Sequence, residues 1–423
     1  MLDFVFHNPV RIYFGKGQMT KITDEIENGK NILITYGKGS IKQNGVYEEL
    51  MSVLLDKAKS LGKKYSIFEF SGIEANPTYE TLMGALEIIH SKRIDYLLAV
   101  GGGSVIDGTK FLAAAAKYDK GDPWNILLKR GRGIEDALPM GTVLTMPATG
   151  SEMNGNSVIS RKSTKEKFAF FSPHVFPKFS ILDPTTTFSL PEKQIANGIV
   201  DAFVHVMEQY LTYPVNSPIQ DRMAEGILLT LIEEGSKIFA NRGRDKDRNR
   251  DRDRDKDNKQ TYLKDYNVRA NIMWAATMAL NNLIGVGVPQ DWSTHMIGHE
   301  LTAEYGLAHA ETLAIILPSL MHAMREGKSE KLIQYAKRVW KVEKIVETDK
   351  DKNKEDKIID FAIGKTREFF EMMGVKTNLI DYKINEEAVN IIIGRLEKHD
   401  MTKMGEKGDI TLEKCREILK NSL

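Results

Sequence analysis

Short apolar runs rich in β-branched residues alternate with helical stretches between Asn31 and about Asp183, and the alternation stops after Pro184. Several runs end in glycine, as in NILITYG at residues 31–37. Strands that alternate with helices and end in glycine are typical of a doubly wound, mostly parallel sheet, which binds ligands beyond the carboxyl ends of its strands. We therefore predict an α/β domain with a ligand site at that edge of its sheet.

Helical periodicity replaces the strand pattern after Pro184 and continues nearly to residue 423. Ser189 and Glu192 have the spacing of a capping box, which marks the start of a helix. This change of pattern places a domain boundary near residues 184–191 and predicts an all-helical second domain.

The segment at residues 242–260 interrupts the helical pattern with nine Arg or Lys residues, six Asp residues and no apolar side chain. Such a segment cannot bury enough surface to offset the entropy that it would lose on ordering. We interpret it as a solvated, disordered insertion between two helices, with a contact for nucleic acid or for another protein as the alternative.

Composition argues against several classes of function. The chain has 59 Lys and Arg against 58 Asp and Glu, and a formal net charge of +1 does not suit a protein that coats nucleic acid or an anionic membrane. No apolar run reaches about 18 residues, which argues against a membrane span. The sequence contains one cysteine, Cys415, and its N-terminal part lacks the layout of a signal peptide, so we expect a cytoplasmic protein.

A glycine turn lies between a predicted strand and a predicted helix in AVGGGSVIDGTK, residues 99–110. Gly101, Gly102 and Gly103 permit a close approach of the backbone to a ligand, and Ser104 can cap the helix. The exposed N–H groups and the positive end of the helix suit a pyrophosphate, although a plain turn could have the same sequence.

A second loop, formed by Gly37, Lys38, Gly39 and Ser40, follows the first predicted strand. In dinucleotide-binding folds an acidic residue near this position holds the ribose 2′-hydroxyl and repels a 2′-phosphate. Because this loop has no acidic residue and offers Lys38 and Ser40, we expect NADP(H) to be preferred over NAD(H).

A group of possible metal ligands lies in the helical half of the chain. Asp201 and His205 are four residues apart and share one helical face, and His295, His299 and His309 follow within one short stretch. One carboxylate and three imidazoles are a normal ligand set for a divalent first-row metal such as Fe²⁺ or Zn²⁺. The spacing leaves open which three imidazoles ligate, since His295 and His299 themselves form an i, i+4 pair.

Several separated motifs occur together in one known family: GGGSVIDGTK (101–110), PATGSEMN (147–154), DAFVH (201–205), and the histidines His295, His299 and His309. With these motifs the chain resembles the iron-dependent, or group III, alcohol dehydrogenases, and in particular their butanol dehydrogenase and NADPH-dependent aldehyde reductase branch. The resemblance runs from about Phe6 to the C-terminus, apart from residues 242–260.

The resemblance implies a Rossmann-like, α/β NAD(P)-binding domain at residues 1–187 and an all-α, metal-binding domain at residues 188–423, with the active site in the cleft between them. This architecture is shared with dehydroquinate synthase. The metal ligands that it implies are Asp201, His205, His295 and His309. We expect His299 to be a catalytic residue that lies near the metal and the substrate without ligating the metal, and that relays a proton.

The cofactor contacts that the resemblance implies comprise the glycine turn, the loop that selects the cofactor, and further matched positions: Gly101, Gly102, Gly103 and Ser104; Gly37, Lys38, Gly39 and Ser40; and Asp107, Thr145, Thr149, Asn154 and Lys167. The implied activity is hydride transfer between NADPH and a metal-polarised carbonyl of a short- to medium-chain aldehyde of the butanal type. We expect a small-molecule alcohol or aldehyde substrate, no nucleic-acid or membrane partner, and a homodimer.

Three rival interpretations differ in what they require near the metal residues. They are a glycerol or polyol dehydrogenase of the same fold, a dehydroquinate-synthase-like enzyme, and a non-catalytic binding protein that uses the charged segment. The sequence around the metal residues is poor in Lys and Arg, which suits an uncharged aldehyde better than a phosphorylated, carboxylated substrate. The complete set of candidate ligands argues against a non-catalytic protein.

Overall fold

The structure is a computed structural model that describes residues 1–240, 261–342 and 354–423. The charged segment predicted to be an insertion, residues 242–260, lies outside the described residues. No helix within the described ranges is long and apolar enough to cross a lipid bilayer.

Two compact units make up the described chain. One unit is formed by His7–Leu190, and the other is formed by Pro191–Leu423 together with Met1–Phe6. The first six residues therefore group with the second unit, although the sequence analysis placed them in the first domain.

A parallel sheet forms the centre of the first unit. The strands of this unit are β1 (Arg11–Phe14), β2 (Asn31–Tyr36), β3 (Ser66–Phe70), β4 (Tyr96–Gly102), β5 (Met140–Met146), β6 (Asn156–Arg161), β7 (Glu166–Phe171) and β8 (Phe179–Leu182). Six of them form one sheet in the order β1-β8-β5-β4-β2-β3, with every pairing parallel. The predicted parallel α/β sheet is confirmed. The edge strand β1 and the separate antiparallel hairpin β6–β7 were not predicted.

Helices connect these strands. They are α1 (Ile22–Glu25), α2 (Val46–Ser52), α3 (Ala58–Ser60), α4 (Tyr79–Ser91), α5 (Gly103–Ala115) and α6 (Asn125–Leu128). A π-helical turn at Val53–Lys57 joins α2 to α3, and short 3₁₀ helices include Ser40–Lys42 and Ser151–Met153. The core beneath the sheet contains completely buried strand residues such as Ile32, Leu98 and Ile181.

The strand order determines where a ligand can bind in this unit. The chain passes from β2 outward to β3 and then returns to β4 on the other side of β2, so β2 and β4 flank the topological switch point. Ligands of open α/β sheets bind in the crevice beyond the carboxyl ends of the strands at this point. The two segments predicted to bind the nucleotide, 37–40 and 101–104, lie at the carboxyl ends of these two neighbouring strands, whose residues Tyr36 and Val100 are aligned.

The second unit is helical. Its helices are α7 (Glu192–Tyr210), α8 (Pro218–Phe239), α9 (Tyr266–Ala279), α10 (Ser293–Tyr305), α11 (His309–Ala323), α12 (Ser329–Arg338), α13 (Lys354–Met372), α14 (Glu387–Lys398) and α15 (Leu412–Lys420). Two short strands, β9 (Lys403–Met404) and β10 (Ile410–Thr411), pair antiparallel between α14 and α15. The predicted helical second half is confirmed apart from this short hairpin, because the sequence analysis placed no strand after Pro184.

Helix α7 lies at the centre of the second unit. Every residue from Gly198 to Tyr210 is buried, as expected for a helix that is apolar on most of its circumference. Three ionisable residues interrupt this apolar surface at i, i+4 and i+7, namely Asp201, His205 and Glu208. Burying a charge costs free energy unless the charge is paired or binds a metal, so these three side chains indicate a functional site.

Candidate functional site

The three predicted turn glycines lie where β4 passes directly into α5: Gly101 and Gly102 end the strand, Gly103 begins the helix, and Gly102 is its N-cap residue. Ser104 does not cap this helix, contrary to the prediction. Its hydroxyl instead accepts a hydrogen bond from the Asn76 N–H (3.3 Å). A Cβ atom on Gly103 would overlap the side chain of Thr149, so glycine is required for the loop after β5 to pack against the turn. The N-terminal end of α5, whose first N–H groups have no partner within the helix, could hold an anion such as a pyrophosphate.

The loop after β5 is joined to α5 by a buried lysine that the sequence analysis missed. The ammonium of Lys110 donates hydrogen bonds to Ser151 Oγ (2.8 Å) and Asn154 Oδ1 (3.0 Å). The carboxylate of Asp107 accepts from the same Ser151 hydroxyl (2.6 Å) and from the Val158 N–H (3.0 Å). Burial lowers the pKa of Lys110 to about 8 and raises the pKa of Asp107. The predicted cofactor residues Asp107 and Asn154 thus belong to one network that fixes the loop.

Another predicted residue, Thr145, lies at the same end of the sheet. Thr145 is the extra residue of a register shift, because Gly101 and Gly102 of β4 align with Leu144 and Met146 of β5. Such irregularities are common next to functional sites, where they change the direction of a side chain.

Lys167 lies on the hairpin β6–β7, which the sequence analysis did not predict. The side chain lies on β7, is buried, and donates from its ammonium to Asn76 Oδ1 (2.8 Å). Because the N–H of Asn76 donates to Ser104, Lys167 is two hydrogen bonds away from the glycine turn. The structure therefore brings this predicted cofactor residue to the glycine turn.

The loop predicted to select the cofactor contains a residue in the left-handed region, Gly39, whose φ is +100°. Lys38 and Ser40 on either side of it are exposed. The Lys42 N–H closes the turn by donating to the carbonyl of Gly39 (3.0 Å), which brings a second lysine to the loop. The glycine is needed here because other residues rarely adopt this backbone conformation.

Glu69, near the end of the neighbouring strand β3, accepts hydrogen bonds from three side chains. Its carboxylate accepts from the hydroxyls of Tyr36 (2.8 Å) and Tyr47 (2.5 Å) and from the ammonium of Lys42 (3.0 Å). This acidic residue next to the loop therefore has its charge offset by three hydrogen bonds.

Three histidine rings in the second unit converge on one carboxylate oxygen. The Asp201 Oδ1 atom lies 3.6 Å from His205 Nε2, 3.8 Å from His295 Nε2 and 3.6 Å from His309 Nε2. These separations are longer than hydrogen bonds. They are close to the roughly 3.4 Å between two ligand atoms of a tetrahedral site whose metal–ligand bonds are about 2.1 Å. The donor set and its spacing could therefore hold a divalent metal ion.

The four candidate ligands are not placed equally well for binding a metal in this structure. Ligand atoms of Asp201, His295 and His309 all lie within 4.8 Å of one another, and His205 is not part of that set of three. His205 Nε2 nevertheless lies as close to Asp201 Oδ1 as His309 Nε2 does, at 3.6 Å. Burial lowers the pKa of His205 to about 4, so the ring is neutral at pH 7, as a metal ligand must be.

His299 lies beside this cluster, one helical turn after His295 on α10. Its ring centroid is 5.2 Å from that of His309 and 6.1 Å from that of His295. The structure therefore brings all four predicted metal residues and the predicted catalytic histidine together.

Glu208 is a further residue of this cluster that the sequence analysis missed. Its carboxylate is hydrogen-bonded to His295 Nδ1 and accepts from the His295 N–H (3.1 Å). Burial alone would lower the pKa of His295, but Glu208 and Asp201 outweigh it and raise that pKa to about 9, so a metal ion binding to Nε2 would displace a proton from this ring. The spacing of Glu208, seven residues after Asp201 on one helix, was the signal that could have identified it.

Comparison with known proteins decides the family. The family model described as "Iron-containing alcohol dehydrogenase" matches residues 9–184, and the one described as "Fe-containing alcohol dehydrogenase family, C-terminal" matches residues 257–423. The chain belongs to the iron-containing alcohol dehydrogenase family. It is 50% identical to NADPH-dependent aldehyde reductase YqhD of Escherichia coli over 99% of both chains, and 39% identical to probable NADH-dependent butanol dehydrogenase 1 of Bacillus subtilis over 100% of both.

Solved structures of the family agree with the described fold. The structure of YqhD from E. coli K-12 has a TM-score of 0.89 at 49% identity and covers 100% of this chain and 99% of that chain. NADH-dependent butanol dehydrogenase A of Thermotoga maritima has a TM-score of 0.86 at 34% identity, with 100% and 99% covered. This iron-containing alcohol dehydrogenase belongs to the aldehyde reductase and butanol dehydrogenase branch. It is an NAD(P)-dependent oxidoreductase that uses a divalent metal and acts on small alcohols and aldehydes, as the resemblance implied.

Proposed function

We propose that this iron-containing alcohol dehydrogenase is an NADPH-preferring reductase of short- to medium-chain aldehydes of the butanal type. In this proposal Asp201, His205, His295 and His309 hold one divalent metal ion, Fe²⁺ or Zn²⁺. The observation that carries the proposal is the convergence of three imidazole nitrogens on Asp201 Oδ1 at 3.6–3.8 Å. The names of the relatives, an aldehyde reductase and a butanol dehydrogenase, support the substrate class.

When bound, the metal supplies Lewis acidity to the substrate carbonyl, and the nicotinamide supplies the hydride. Asp201 contributes one negative charge to the ligand set and the imidazoles contribute none, so the set leaves the centre with a net positive charge that attracts a carbonyl oxygen. His299 then exchanges a proton at the product oxygen. The glycine turn at Gly101–Gly103 and the helix end behind it orient the pyrophosphate. We assign nucleotide binding to residues 1–187 and metal binding to residues 188–423.

Metal analysis paired with activity assays tests the proposal. Protein purified without added metal should contain one first-row metal ion per chain, identified as iron or zinc, and should reduce butanal with NADPH. A chelator should remove the metal and the activity together, and adding back Fe²⁺ or Zn²⁺ should restore both. Reduction of butanal at an undiminished rate after complete removal of the metal would contradict the proposal.

The preference for NADPH needs its own argument, because one of the relatives above is named for NADPH and the other for NADH. The loop at Gly37–Ser40 has no acidic side chain to repel a 2′-phosphate, and the exposed Lys38 can attract one. Glu69, on the adjacent strand, has its charge offset by Lys42 and two tyrosine hydroxyls. These features favour NADP(H).

We expect kcat/KM with NADPH to exceed that with NADH by roughly 10- to 150-fold, since a charged hydrogen bond contributes about 1.5–3 kcal/mol. Ser40→Asp should shift the preference towards NADH, because it places a carboxylate in the loop without altering the positive φ of Gly39. Ser40→Asn is the matched control, since it has the same shape without the charge. Equal or better kcat/KM with NADH in the wild-type protein would refute the preference.

A substitution in the glycine turn tests the nucleotide site directly. Gly103→Ala should weaken NADPH binding, measured by fluorescence titration, by roughly tenfold or more, because the new methyl group displaces Thr149 or the turn itself. The matched control is Gly84→Ala in α4, where the nearest atom, on Phe70, would be 3.9 Å away. That control should bind NADPH normally and gain roughly 0.5–1 kcal/mol of stability. Unchanged NADPH affinity in Gly103→Ala would count against the proposed pyrophosphate site.

We also propose that the protein is a cytoplasmic homodimer. Strand β1 is at one edge of the six-stranded sheet, and the edge of a sheet is a place where a second copy of the chain can add a strand. Light scattering of the purified protein measures its mass in solution and tests the dimer.

A further inference from the structure

Glu208 contacts one of the four proposed metal residues through both of its carboxylate oxygens. It lies on α7, three residues after His205 and on the same buried face. One oxygen accepts from the backbone N–H of His295 (3.1 Å), and the other is hydrogen-bonded to the ring nitrogen Nδ1 of the same residue. The residue is 4% exposed, so these contacts are made out of water.

The backbone contact fixes where α10 begins. His295 is the third residue of this helix, and the first four N–H groups of a helix have no partner within it. The carboxylate of Glu208 accepts a hydrogen bond from one of these N–H groups. The backbone carbonyl of Glu208 accepts a further hydrogen bond from the N–H of Asp291 (2.8 Å), just before the helix. Glu208 therefore holds the start of α10 from two sides.

The hydrogen bond to the ring of His295 fixes the orientation and the tautomer of its imidazole. A carboxylate at Nδ1 keeps a proton on that nitrogen, and the opposite nitrogen, Nε2, is then the atom that can ligate a metal. In the structure Nε2 of His295 faces Asp201 Oδ1 at 3.8 Å. One side chain thus sets both the position and the orientation of this ligand.

We propose that Glu208 is a positioning residue of the metal centre, which fixes the tautomer and the place of His295 without touching the metal. This inference rests on the proposed function, because it assumes that His295 is a ligand. It assigns Glu208 a role that Asp201, His205 and His309 do not share.

The chain offers a closely matched control in Glu300. This residue lies on α10, the helix that carries His295, is 2% exposed, and accepts hydrogen bonds from His399 Nδ1 (2.7 Å) and Arg395 Nε (2.7 Å). Glu300→Gln therefore removes a buried carboxylate from a histidine, as Glu208→Gln does, but at a histidine outside the metal cluster.

The experiment is a titration of the chelator-treated full-length protein with Co²⁺, in competition with a chromophoric chelator, together with the visible absorption spectrum of the Co²⁺ form. Glu208→Gln should bind Co²⁺ roughly 10- to 100-fold more weakly than the wild type and should alter the spectrum, since the ligand geometry changes. Glu208→Asp keeps the charge but withdraws the carboxylate, and should also weaken binding. Glu300→Gln should lose stability yet retain the wild-type affinity and spectrum.

Other results would overturn either the inference about Glu208 or the proposed metal site. Wild-type affinity and spectrum in Glu208→Asp would show that charge rather than position matters and would overturn the inference, and so would equal losses in Glu208→Gln and Glu300→Gln. If Glu208→Gln fails to fold, Glu208→Asp decides alone. A wild-type protein that binds no Co²⁺ would instead overturn the proposed metal site itself.

Discussion

Replacing Asp201 by alanine should remove the metal and lower kcat/KM for butanal by on the order of 1,000-fold or more, since a metal acting as a Lewis acid supplies several kcal/mol. The loss should be this large because Asp201 Oδ1 is the one atom that all three imidazoles approach. His309→Ala should have an effect of the same kind. Metal content by mass spectrometry and steady-state kinetics measure both results.

The matched control for His309→Ala is His322→Ala. His322 lies on the same helix, α11, but is exposed and interacts with Arg325. This variant should keep its metal and its activity, and all these variants should bind NADPH as the wild type does. Full metal content and normal turnover in Asp201→Ala would disprove the assignment of the metal site.

Lys328→Ala should lower the free energy of unfolding of the second unit by about 3–5 kcal/mol, the usual cost of removing one partner from a buried ion pair. The ammonium of Lys328 lies 3.0 Å from Asp291, 2.9 Å from Glu406 and 2.7 Å from the carbonyl of Leu211. Without Lys328, the carboxylates of Asp291 and Glu406, which are 4% and 5% exposed, would remain buried near each other. Urea unfolding followed by tryptophan fluorescence measures the change.

The control for this prediction is an exposed ion pair in the same unit. Lys365 pairs with Glu368 on α13, and their side chains are 38% and 65% exposed. Lys365→Ala should change the unfolding free energy by no more than about 0.5 kcal/mol, because water screens such pairs. A similar small change in Lys328→Ala would show that the buried triad does not stabilise the fold.

Some features of the site could be predicted because they depend on residues close together in the chain. A helix repeats every 3.6 residues, so Asp201 and His205 share one face whatever surrounds the helix. The glycine turn at Gly101–Gly103 could be predicted for a similar reason, since a buried strand, a turn and a helix start follow one another directly. The prediction for Ser104 was wrong because α5 begins at Gly103, which places Ser104 inside the helix, where its hydroxyl accepts from Asn76, 28 residues away in the chain.

Other features depend on residues that are far apart in the chain. Glu208 is 87 residues from His295, and Lys328 is 78 residues from Glu406. No local pattern specifies such pairs, because packing of apolar surfaces brings the segments together first. Each buried polar group must then find a partner, since leaving one unsatisfied costs about 1–3 kcal/mol.

The sequence by itself thus determined the alternation of helices with the strands β2, β3, β4, β5 and β8, the two segments proposed to bind the nucleotide, and the group of candidate metal ligands, all of which follow from local periodicity and side-chain chemistry. Tertiary structure alone decided that His295 and His309, from two other helices, face Asp201, and that Glu208 orients His295. The physical reason is that the direction of a buried side chain is set by the neighbours that satisfy its charge, and those neighbours come from other helices.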